Sequence, residues 1–137
     1  MAVKILMMLS AGIILLLGIM HLLFTFVGTK LTPRDPVLQE SMRSVSPVIS
    51  KETTMWKAWL GFNASHSLGA ILFGLIYGYL ASLHSAFLFA SYFLLFVGGG
   101  LLASFVVLGK LYWFHLPFRA TLVAFACYCT AVVLYFT

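Results

Sequence analysis

Apolar residues run along this chain in four long blocks, separated by one polar stretch and two short turns. The first block covers about residues 5–28. That is roughly 24 residues, or ~36 Å at helical rise, enough to cross the hydrocarbon core of a bilayer with some tilt. The second covers about 55–81, and the polar turn at 82–85 follows it. The third covers about 86–109. An aromatic interfacial turn at 110–116 leads to Pro117, which suits the first turn of a fourth span over about 117–135. The pattern predicts an all-α fold: a polytopic transmembrane bundle of four helices, forming one domain over residues 1–137.

The polar stretch, about residues 29–54, is too long for a bare turn and carries a helical pattern of its own. Asp35 suits an N-cap and Pro36 the first helical position. Leu38, Met42, Val45 and Ile49 then recur at steps of four, three and four. That stripe suggests an amphipathic segment on the membrane surface, kinked or restarted at Pro47. An ordered loop folded over the helix ends accounts for the same pattern.

Composition strengthens the membrane reading. Hydrophobic residues make up 63% of the chain and charged residues 8%; a soluble domain carries about 25% charged residues. The solvent that tolerates such a surface is lipid, so the expected partner is the bilayer. A net charge of +5 would suit nucleic acid only if it formed a basic stripe. Here Lys and Arg stand singly at the ends of apolar runs, so nucleic acid is not an expected partner. Their placement orients the chain instead. Lys30, Arg34, Arg43, Lys51, Lys57, Lys110 and Arg119 fall on one side of the predicted spans and only Lys4 on the other. The positive-inside rule makes 29–54 a cytoplasmic loop and puts both termini in the periplasm. The N-terminal block resembles a secretory signal, but it stays apolar through Val27 without a small-residue cleavage site, so it reads as a retained helix. Cys127 and Cys129 lie two apart in a helical run, point to different faces and should not bridge.

The second span holds most of the candidate chemistry. Trp56, Trp59, Asn63, His66, Phe73 and Tyr77 share one face. Small residues form ladders beside it, through Gly61, Ser65 and Gly69 and through Ala70, Gly74 and Gly78. Such ladders let helix backbones approach closely in lipid, within one chain or between copies in a homo-oligomer or larger membrane complex. Asn63 and His66 are costly in hydrocarbon unless they face protein or water. His21 on the first span lies at a similar depth, roughly 10–15 Å from the charged face. His115 and Arg119 enter from that face at the start of the fourth span. The expected site is a polar pocket of His21, Asn63, His66, His115 and Arg119. Four uses of it stay open: hydrogen-bonding glue between helices, a small-ligand or lipid-headgroup site anchored by Arg119, haem or metal ligation by His21 and His66, and proton-coupled transport. Enzymatic signatures are mostly absent: Asp35, Glu40 and Glu52 all lie outside the spans, and no Gly-rich phosphate loop occurs.

The run Thr53-Thr54-Met55-Trp56-Lys57-Ala58-Trp59-Leu60-Gly61-Phe62-Asn63-Ala64-Ser65-His66-Ser67-Leu68-Gly69, together with Pro33-Arg34-Asp35 and Tyr112-Trp113-Phe114, resembles a family of small, uncharacterised bacterial four-helix integral membrane proteins. The resemblance covers nearly the whole chain. It implies the bacterial cytoplasmic (inner) membrane and carries no activity with it. The expected function is a small-ligand-binding or accessory membrane protein. A haem- or metal-binding redox protein and a structural subunit of a membrane complex are the alternatives.

Overall fold

A computed structural model describes residues 1–137, and helices are its only regular secondary structure. Its elements are α1 (Ala2–Phe26), α2 (Pro36–Ser44), α3 (Met55–Leu83), α4 (Ser85–Ala90), α5 (Tyr92–Tyr112) and α6 (His115–Phe136). Four of these, α1, α3, α5 and α6, are long and apolar enough to cross a membrane, at 25, 29, 21 and 22 residues. Large apolar side chains stand outward on them, among them Leu16, Phe62, Leu72, Phe93 and Phe96. Water would penalise that surface and hydrocarbon would not. The chain is a helical membrane protein with four candidate spans.

The third span departs from expectation. The helix predicted over 86–109 is divided at Ser91, which leaves α4 and α5 as separate elements. Ser91 adopts an extended backbone (φ −94°, ψ 96°) and its hydroxyl accepts the Leu94 N–H at 3.3 Å. It is the N-cap of α5, and a capping serine supplies the partner that the broken ladder lacks. Hydropathy does not register one serine in an apolar run, so the break was invisible to it. At the end of α1, Gly28 adopts φ +83°, a left-handed conformation that favours glycine and turns the chain out of the helix.

Residues divide into two compact units, 1–17 with 70–137, and 18–69. In the first, the backbones of α1 and α3 approach closely at Gly74. A Cβ there would sit 2.8 Å from the Ala11 carbonyl oxygen and 2.5 Å from the Leu15 Cβ. Gly98 on α5 makes room for two tyrosines: a Cβ there would lie 2.6 Å from the Tyr77 ring and 2.7 Å from the Tyr128 hydroxyl. Those hydroxyls donate to the carbonyls of Leu94 (2.6 Å) and Leu95 (2.9 Å), one turn earlier. Buried hydroxyls thus find partners on the helix they pack against, as an apolar surrounding requires.

The small-residue ladder of the second unit behaves differently. A Cβ on Gly61 or Gly69 would meet nothing within 4 Å, and Ser65 is exposed. The close packing expected there is not found within the chain. A glycine ladder records where an approach is permitted, not where a helix comes to fill it.

Candidate functional site

The site-bearing unit, residues 18–69, contains the end of α1, the linker with α2 and the first half of α3. Its polar residues are organised at steps of four. On α1, the Thr25 hydroxyl donates to the His21 carbonyl at 2.8 Å. On α3, the Asn63 side-chain amide donates to the Trp59 carbonyl at 2.8 Å, and the Ser67 hydroxyl donates to the Asn63 carbonyl at 2.7 Å. Back-bonding of this kind satisfies a polar side chain without another helix.

One contact then joins the two helices. His21 Nε2 lies 2.9 Å from Asn63 Oδ1. The Trp59 carbonyl can only accept, so the Asn63 amide nitrogen faces it and the amide oxygen faces His21. That oxygen also only accepts, so His21 Nε2 carries the proton in this bond. The His66 ring packs against His21 edge to face, with centroids 5.4 Å apart and planes at 85°. The structure therefore brings His21, Asn63 and His66 together. His115 and Arg119 are both exposed, in the first two turns of α6, which belongs to the other unit.

Closer to the loop end of these helices the linker encloses a cleft of about 310 Å³, at the small end of ligand-pocket volumes. Its walls come from the end of α1 (Phe24, Thr25), α2 (Gln39, Arg43) and the start of α3 (Trp56, Leu60), closed by the loop around Gly28 and Leu31. Two hydrogen bonds pin the linker to α3. The Trp59 indole N–H donates to the Leu31 carbonyl at 3.0 Å, and the Met55 N–H donates to the Val45 carbonyl at 2.8 Å. Asp35 caps α2 by accepting the Val37 N–H at 2.9 Å, with Pro36 in the first turn. The helix ends at Ser44, before Pro47.

Two cations lie against aromatic rings. The Arg43 guanidinium carbon is 5.5 Å from the Trp56 ring centroid, and the Lys30 ammonium is 4.0 Å from that of Phe24. Both are within cation–π range. Arg43 lines the cleft and no carboxylate does. The lining includes none of His21, Asn63 and His66; Thr25 and Leu60, one turn away, are the bridge between cleft and cluster.

From the sequence Arg43 is only an orienting charge; its place in the cleft against Trp56 was not legible there. No spacing rule links residue 43 to residue 56, because the loop geometry makes the contact. As for metals, no three His, Cys, Asp or Glu side chains gather around a common point. Haem ligation by His21 and His66 would require the Asn63 bond and the direct ring contact to give way. Comparison with known proteins brings no match: no family model, no curated protein and no solved structure matches the chain.

Proposed function

We propose that this is a multi-pass protein of the bacterial cytoplasmic membrane that binds a small amphiphilic ligand in the cleft of residues 18–69. The observation that carries the reading is a cleft with aromatic walls and one cationic wall, fastened to α3 by the Trp59 and Met55 hydrogen bonds. Apolar walls with a few placed polar groups are what ligand sites are made of. In this reading the His21–Asn63 bond and the His66 ring hold α1 and α3 in register behind the cleft, as interhelical polar contacts do in membranes. The seven-to-one charge distribution supports a topology with the cleft at the cytoplasmic face and both termini periplasmic. The resemblance carried by the Thr53 to Gly69 run supports the bacterial membrane.

The test is native mass spectrometry of protein extracted from membranes in mild detergent. The wild-type chain should retain one amphiphile per copy. Leu60→Trp, which fills the cleft with a larger side chain, should fold and lose it. Equal retention by both proteins would remove the cleft as the binding site.

A further inference from the structure

We infer that the ligand's head carries a phosphate, and that it is the headgroup of an anionic membrane phospholipid. This rests on the cleft being a binding site and adds the chemistry of its occupant. Arg43 is the one charged side chain lining the cleft, and its guanidinium offers a planar fork of donors that matches phosphate oxygens. Trp56 holds it at 5.5 Å, which reduces the ordering cost of binding. Lys30, held over Phe24 beside the cleft wall, adds a second cation, and the chain as a whole is at +5.

Two features favour a lipid over free phosphate. Phe24, Phe26, Trp56 and Leu60 supply apolar wall that inorganic phosphate would leave unused. On and just after α2, Val37, Leu38, Val45, Val48 and Ile49 are more than half exposed. Arg43 lies among them and Arg34 and Lys51 flank them, with Asp35, Glu40 and Glu52 in the same segment. An exposed apolar edge with flanking cations suits the interface of an anionic leaflet. A cleft of about 310 Å³ suits a headgroup and glycerol, with the acyl chains left in the bilayer.

The experiment titrates full-length protein in neutral detergent with phosphatidylglycerol, phosphatidylcholine and diacylglycerol of identical chains, read by native mass spectrometry. Inorganic phosphate and glycerol phosphate form separate arms, read by thermal shift. Phosphatidylglycerol should be held about tenfold more tightly than diacylglycerol, which has no phosphate, the scale of one charge-assisted contact, and more tightly than phosphatidylcholine, whose choline ammonium is repelled by Arg43 and Lys30. Arg43→Gln should abolish that preference, Arg43→Lys should restore part of it, and Lys57→Gln, exposed and outside the cleft, should leave it intact. If the three lipids bind equally and Leu60→Trp removes all of them, the cleft is a binding site and the phosphate inference is overturned. If none binds, the binding site falls with it. Stabilisation by inorganic phosphate as large as that by phosphatidylglycerol would overturn the lipid source. Equal losses in Lys57→Gln and Arg43→Gln would reduce the effect to diffuse surface charge and overturn the site.

Discussion

Asn63 spends both ends of its amide: the nitrogen on its own helix, at Trp59, and the oxygen on His21. Replacing it with leucine leaves the His21 N–H facing an apolar group. Asn63→Leu should lower stability in detergent by about 0.5–2 kcal/mol, the range measured for interhelical polar contacts in membranes. Thermal unfolding beside the wild type checks this. Ser10 gives the opposite sign. Its hydroxyl is fully buried on α1 and has no hydrogen-bond partner. Ser10→Ala removes an unpaired polar group, so stability should hold or rise by up to ~1 kcal/mol. A clear loss would show that the hydroxyl is paired in the membrane. The meeting of His21, Asn63 and His66 was legible in the sequence, because depth along a straight helix follows from residue count alone. Arg43 against Trp56 was not, because the path of a loop is set by contacts that leave no periodic trace.

At the scale of elements, two glycines on one helix separate what a small-residue ladder permits from what it does. Gly74 lies against the α1 backbone, and Gly74→Ala should cost about 1–3 kcal/mol through overpacking. A Cβ on Gly69 meets open space, so Gly69→Ala should change stability little. Thermal melts of the two variants side by side decide it; equal losses would mean that another chain covers Gly69. The sequence offers both glycines at equivalent spacing, so only the fold distinguishes them. The turn out of α1 depends on a third, Gly28 at φ +83°. A side chain in that conformation costs about 1–2 kcal/mol, so Gly28→Ala should destabilise by that amount or shift the loop that closes the cleft. Of the four expected spans, the third alone changed character. A cap such as Ser91 is a local hydrogen-bonding device, and hydropathy averages over it.

For the whole molecule, the account rests on which face of the membrane carries the cleft. The proposed topology gathers seven of the eight Lys and Arg residues on one face, Arg43 of the cleft among them, and the positive-inside rule makes that face cytoplasmic. A membrane-impermeant maleimide tests this directly, on single-cysteine proteins in which Cys127 and Cys129 have been replaced by alanine. Ser82→Cys, at the end of α3, should label in intact bacterial cells. Arg34→Cys, just ahead of α2, should label only after the membrane is permeabilised. The reverse pattern would put the cleft at the periplasmic face and contradict the account.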